Sequence, residues 1–339
     1  MRPSRALLVL PLLTACASPP PGEEATEDEI VSVASPATVV DSVFEEGAAD
    51  PVWAVDARDR VWLSHGLSFG QPGQQKAQAL PAASSSLLVS GENAFALSRM
   101  SASGSRTLSR ISLASKTSTP LHDLGGPAYG FTTDRGGALY MIGVASPGTP
   151  PTRLLRVNPT TSNVDVISED FGQGACPIVQ LLVDEASVYG WRRCYPESGQ
   201  LVQVSRTGGP TKALVETSRV ASNVAQSDTD LFYSSLGIEL VRLPKAGGAP
   251  STLVRGALGR VLAVRGNEVW FIDAMEVKRV PMAGGSATTV APLPTGVEPK
   301  AMFPTADGVL VHVKLRNTRP GESNHQLIRV KLNRASSAP

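Results

Sequence analysis

Short stretches of the chain place apolar side chains at alternate positions, break at one or two Asp, Asn or Gly residues, and then resume. Alternation of period two marks strands with one buried face, and breaks of this composition mark hairpin turns. Seven segments fit: Val52 to Ser64, Leu87 to Ser98, Gly130 to Gly143, Ile178 to Trp191, Asn223 to Ser235, Arg260 to Asp273, and Ala301 to Val313. No long window carries the 3.6-residue apolar period of a helix, so helix should be scarce.

A second pattern follows each hairpin. Its form is apolar, any residue, Arg or Gln, apolar. It occurs as "LSRI" (Leu108 to Ile111), "LLRV" (Leu154 to Val157), "LVQV" (Leu201 to Val204), "LVRL" (Leu240 to Leu243), "VKRV" (Val277 to Val280) and "LIRV" (Leu327 to Val330), with a faint further copy at Lys76 to Leu80. The recurrence interval, about 37–50 residues, fits propeller blades or helical arrays, and the scarcity of helix leaves the blades. A full unit reads as a hairpin, a third strand carrying the Arg phrase, a Gly-Gly or polar turn, and an outer strand such as "PSTLV" (Pro250 to Val254). The expectation is an all-β propeller of seven four-stranded blades. Six is the rival count, because the first unit is short and its last two strands are weakly written. The final unit stops after "HQLIRVKL" (His325 to Leu332) without an outer strand, while "TVVDSVF" (Thr38 to Phe44) stands spare near the other end. The N-terminal strand should therefore complete the last blade and close the ring.

The order hairpin, L-x-R-V-P-x-x-G-G, T-L-V resembles exported bacterial propellers of the TolB-like and YWTD/NHL-like groupings. The resemblance covers residues 38–333. No YWTD tetrad is present; "LFYS" and "VWFI" occupy the comparable strand. What it implies is the fold, and only weakly a function.

The first residues change the picture of where the chain resides. Arg2 and Arg5 precede the apolar run Ala6 to Leu13, which is too short to span a bilayer as a helix. "LTAC" (Leu13 to Cys16) looks like a bacterial lipobox, so residues 1–15 read as a lipoprotein signal peptide and Cys16 as the lipidated residue. Residues 16–37, rich in Pro and acids, read as a flexible tether, and residues 334–339 as a disordered tail. Ala17, rather than Asp, after the anchor points to the outer membrane. Loss of Arg2 and Arg5 leaves 29 basic against 30 acidic residues in the mature chain. That balance gives no basic face for nucleic acid.

With Cys16 taken by the anchor, Cys176 and Cys194 remain. They are equidistant from Glu185 at the centre of a hairpin turn, so they should face one another across the two strands. In an oxidising compartment a disulfide is the default, with a redox or metal role as the alternative.

Catalytic signatures are sparse. Four histidines, His65, His122, His312 and His325, lie far in sequence from one another and from Cys, so no local metal-ligand spacing exists and no metal or cofactor is expected. The Asp residues of the hairpin turns (Asp56, Asp134, Asp184, Asp228, Asp230 and Asp307) read as turn formers. The repeated Arg reads as architectural, facing solvent or the next blade. Propellers usually bind on the end made by second-to-third-strand and inter-blade loops. Candidates there are His65, Phe69, Arg99, Arg106, Tyr129, Phe171, Arg193, Tyr195, Asp273, Glu276, Arg316 and Arg319. These features suit a non-catalytic binding or scaffold lipoprotein of the cell envelope, whose partner is another envelope protein or a small ligand. The alternative is a propeller enzyme, a metal-dependent lactonase or lyase working in the central channel, for which only Asp273, Glu276 and His65 offer side chains.

Overall fold

The computed structural model describes residues 38–43, 52–55, 61–64 and 69–70, and from residue 84 to 332 all but the short stretches 99–100, 103, 127, 145–150, 173–175, 195–197, 218–222, 236–237, 257 and 317–324. The expected signal peptide, Cys16 and the tether lie outside these residues, as do His65, Arg99, Tyr195, Arg319 and Asp56. The described residues contain strands, turns and no helix.

Six four-stranded antiparallel sheets follow one another along the chain. In each, the strands are named a to d from the inside outward. Blade 1 holds Ser84–Ser90, Asn93–Ser98, Thr107–Ser112 and Ser118–Asp123. Blade 2 holds Tyr129–Thr133, Leu139–Val144, Pro151–Val157 and Val164–Ser168. Blade 3 holds Ile178–Val183, Ser187–Cys194, Ser198–Ser205 and Lys212–Thr217. Blade 4 holds Val224–Gln226, Asp230–Ser235, Glu239–Pro244 and Ser251–Arg255. Blade 5 holds Leu258–Arg265, Glu268–Asp273, Glu276–Pro281 and Thr288–Pro292. Blade 6 holds Val297–Thr305, Gly308–Leu315 and His325–Lys331, and its strand d is Thr38–Val43 from the other end of the chain.

The ring closure foreseen from the sequence is thus present. Thr38 pairs with Arg329 and Val43 with His325, antiparallel, with one bulge between Val39 and Asp41. Each of the six clear copies of the Arg phrase lies on a strand c. The first unit differs from a full blade: Val52–Val55, Val61–Ser64 and Phe69–Gly70 make a three-stranded sheet, whose first two strands touch strand a of blade 1. Among the described residues six blades are complete, the count given as the rival to seven. The faint phrase at residues 76–80 lies outside the described residues.

Alternation along strand b explains how the sheets stack. In blade 2, Leu139 and Met141 pack toward blade 1 with Phe95, Leu97 and Leu108, while Tyr140 and Ile142 pack toward blade 3 with Phe171, Ile178 and Val188. Successive side chains point to opposite faces of a strand, so a strand buried on both sides must be apolar throughout. The core is accordingly a series of clusters between adjacent blades, and blades 3/4, 4/5 and 5/6 repeat the arrangement.

The Gly-Gly turns are the same turn three times. Gly208 and Gly209, Gly247 and Gly248, and Gly284 and Gly285 all have positive φ, between 92° and 127°. The first glycine N–H of each pair donates to the carbonyl three residues back: Ser205, Pro244 or Pro281. A side chain would be strained at both positions, which is why the pair recurs.

The repeated Arg is architectural, but its partner lies within its own blade. Arg242 binds Asp230 through Nε (2.8 Å) and Nη2 (3.2 Å), Arg279 binds Glu268 (2.6 Å), and Arg329 binds Asp307 (3.1 Å). In blade 3 the pair is written in neutral residues: Gln203 donates to Ser187 at 2.8 Å. Arg110 alone of these reaches the neighbouring blade, donating to the Pro159 carbonyl.

Cys176 and Cys194 form a disulfide. A bulge between Ile178 and Gln180 brings Ile178 opposite Arg192, and continuing that register places the two cysteines opposite each other. The bond closes a separation of 18 residues, so the Cys176→Ser/Cys194→Ser variant should retain its strand content and lose about 3 kcal/mol of stability. Urea unfolding followed by far-UV circular dichroism would check this.

Candidate functional site at the turn end of the ring

The a–b and c–d turns gather at one end of the ring, and the b–c and d–a connections at the other. Those of the anticipated ligand-binding residues that the structure describes belong to the second end. There, Arg106, Arg193, Asp273 and Arg316 stand at the b–c connections of blades 1, 3, 5 and 6, well spread around the ring. Arg106 donates from Nη1 to the Ser98 carbonyl. Arg193 is exposed, but its neighbour Arg192 turns inward and donates to the carbonyls of Phe171 and Asp170 and to Gln200. Arg316 is exposed and its amide donates to Gly296. Phe69 lies on a strand that pairs with Trp62. Phe171, expected at the rim, is fully buried, because it fills the space over Gly190 between blades 2 and 3. Asp273 and Glu276 flank a two-residue turn in which Ala274 and Met275 both have positive φ. Both carboxylates bind Lys278, at 2.7 and 3.2 Å.

A cleft lies at the opposite, turn end. It has a volume of about 770 Å³ and is walled by the a–b turns of blades 2, 3, 4 and 5 together with Lys245 and Met282 from two c–d turns. An inter-blade stitch of Asp184 and Lys245 lines its charged side. Asp184 closes its own turn, with Oδ1 accepting from the amides of Ala186 (2.9 Å) and Ser187 (2.8 Å). Its Oδ2 accepts from the Tyr189 hydroxyl (3.0 Å) and pairs with Lys245 of the next blade (2.9 Å). Lys245 is only 8% exposed, lies 5.3 Å from the centre of the Tyr189 ring, and also donates to Gln226. One blade earlier the device is repeated. Asp134 Oδ1 accepts from Ala138, and Oδ2 accepts from Tyr140 and pairs with Arg206, which also donates to the Tyr140 hydroxyl.

These contacts set the electrostatics. Burial pushes the Asp184 carboxyl up, but the Lys245 bond and the amides of Ser187 and Ala186 outweigh it and hold the group below the usual carboxylate range. Burial, with the Asp184 charge second, drives the Tyr189 phenol far above its ordinary value, so it stays a donor. Outside the stitches lies a more exposed set: Arg135 bonds Asp228 at 3.0 Å and approaches Glu185 at 3.8 Å.

Sequence reasoning read the turn aspartates locally and missed the cleft. One signal was available. The residue three after the Arg or Gln of the phrase is Arg206, then Lys245, then Met282, and the second residue of each strand b after its turn partner is Tyr140, Tyr189 and then Phe232. A cation and a tyrosine change together.

No protein-family model and no curated protein sequence matches the chain. Solved structures do match. An oligogalacturonate lyase solved in complex with manganese aligns at a TM-score of 0.61 and 14% identity, over 83% of this chain and 88% of that one. One of two prolyl endopeptidases studied for inter-domain dynamics aligns at 0.58 and 13% identity, over 83% of this chain and 50% of that one. This chain is a β-propeller. It spans half the length of that endopeptidase. The putative TolB from Agrobacterium tumefaciens, in the grouping that the repeat resembles, aligns at 0.47 and 12% identity over 63% of this chain and 79% of that one. At such identities the likeness concerns fold alone.

The stitch predicts a non-additive mutant series. Lys245→Met alone strands a mostly buried carboxylate and should cost about 2 kcal/mol. Adding Asp184→Ser and Tyr189→Phe copies the neighbouring seam and should recover most of that loss. Because the Asp184 pKa is lowered on folding, its stabilisation is present above the unfolded carboxylate value of about 4 and fades as pH falls through the folded value. The triple variant should lose this part of the acid dependence. Urea midpoints at pH 7 and pH 3.5 measure both effects.

Proposed function

We propose that the protein is an extracytoplasmic binding or scaffold lipoprotein, anchored through Cys16, whose propeller surface engages another envelope protein. The export signal and lipobox-like stretch at the N-terminus support the location. One observation carries the reading of the surface: the carboxylates of the Asp273–Glu276 turn and of the cleft stand beside cations. Asp273 and Glu276 share Lys278, Asp184 holds Lys245, and Arg135 lies between Asp228 and Glu185. A group that takes or gives a proton works best with a pKa near the operating pH. The Lys245 pairing instead keeps Asp184 ionised, and Lys278, bonded by Asp273, is held cationic with a raised pKa. Fixed charges of this kind serve orientation and partner selection.

The test is a photo-crosslinking amino acid at Arg316, on the loop end, and separately at Asn267, on the turn end, in cells retaining the native envelope. A discrete adduct at one of these positions, with its protein partner identified by mass spectrometry and recovered in the reciprocal experiment, is the expected result. Absence of any protein adduct at both positions, together with a small molecule retained in the central channel of the purified protein, would count for the enzyme alternative.

A further inference from the structure

The seams between blades are not equivalent, and the difference falls inside the cleft. At the seam of blades 3 and 4 the three stitch positions are Asp184, Tyr189 and Lys245. At the next seam the register puts Ser227, Phe232 and Met282 in the same three places. Ser227 donates its amide to Asp230 as Asp184 donates to Ser187, and the amides of Met282 and Lys245 bond the a–b turns of their own blades, at Asn267 and Thr229. Carboxylate, phenol and ammonium have been replaced together by hydroxyl, phenyl and thioether. A broken ion pair would leave a costly buried charge, whereas wholesale replacement costs little. The substitution therefore keeps the seam intact while changing what the cleft presents.

The result is a cleft with two unlike walls. Val264 and Met282 form an apolar wall at the seam of blades 4 and 5. Facing solvent across the turns of blades 2 to 4, Arg135 lies between Asp228 and Glu185, and these three side chains are 76%, 88% and 71% exposed. Glu185 also lies 3.7 Å from Arg206, whose own charge Asp134 balances, so the set of Arg135, Asp228 and Glu185 still contributes a net charge of −1. Asp184 and Lys245 neutralise each other beneath it. Exposed pairs are worth only about 0–1 kcal/mol, so rearranging them for a ligand costs little.

From this arrangement we propose that the turn-end cleft binds an extended segment of a partner protein that carries a basic side chain close to an aliphatic one. The cation joins Asp228 and Glu185, and the aliphatic side chain rests on Met282 and Val264. This rests on the binding-protein reading above and assigns that binding to the turn end, opposite the residues anticipated from the sequence. A cleft of about 770 Å³ is within the range that holds a compact ligand segment.

The test uses the full protein and three fluorescein-labelled, N-acetylated peptides at low salt: Ser-Leu-Ser-Arg-Ser, its Glu counterpart Ser-Leu-Ser-Glu-Ser, and its Ala counterpart Ser-Ala-Ser-Arg-Ser. Fluorescence anisotropy should show the first binding at least tenfold tighter than either of the others. Glu185→Gln/Asp228→Asn should abolish the preference over the Glu peptide, and Met282→Lys should weaken the first peptide at least tenfold, with the far-UV circular dichroism of both variants unchanged. Equal binding of the three peptides, tighter binding of the Glu peptide, or a preference that survives Glu185→Gln/Asp228→Asn would overturn the proposal. If the peptides fail while a crosslinker at Arg316 captures an identified partner, the binding-protein reading stands and the turn-end site falls.

Discussion

The structure depends on one antiparallel pairing, between Thr38–Val43 and His325–Lys331. A propeller has no central core. Each sheet buries its faces against its two neighbours, so a blade lacking one neighbour exposes an apolar face. Here the apolar clusters link blade 1 to 2, 2 to 3, and so on to blade 6. The chain can hold that succession in a ring only if its two ends are joined. Strand addition does this with main-chain bonds, and it also covers the edge that blade 6 would otherwise leave open.

Within that frame the polar groups divide into two kinds of work. Arg242 with Asp230, Arg279 with Glu268, and Arg329 with Asp307 tie strand c to the turn or the start of strand b in a single sheet. Asp134 with Arg206 and Asp184 with Lys245 tie one sheet to the next. Pairs of the first kind recur in blades 4, 5 and 6. Pairs of the second kind vary, and the variation decides which stretch of the turn end is charged and which is apolar.

Much of the fold was legible in the sequence. Strand b of each blade is apolar at consecutive positions, and strand c carries its phrase at a fixed place after the hairpin. The spare strand at Thr38 was legible because the last unit is visibly one strand short. The three-stranded first sheet was harder, since its third strand is only Phe69–Gly70. The cleft was illegible for a physical reason. Asp184 uses one oxygen locally, for the amides of Ala186 and Ser187, and the other for Lys245, 61 residues away in sequence. A local reading recovers the first half and misses the second. Phe171 failed in the same way: it sits in a loop between blades, but Gly190 leaves a hollow that its ring fills.

Ring closure is the central claim, and equilibrium unfolding of the protein without residues 38–43 tests it most directly. The account predicts that this deletion abolishes the single cooperative transition of the intact chain, leaving an early, shallow loss of structure with exposure of apolar surface to a hydrophobic dye. A deletion variant that stays soluble and unfolds in one transition with unchanged midpoint and slope would contradict it.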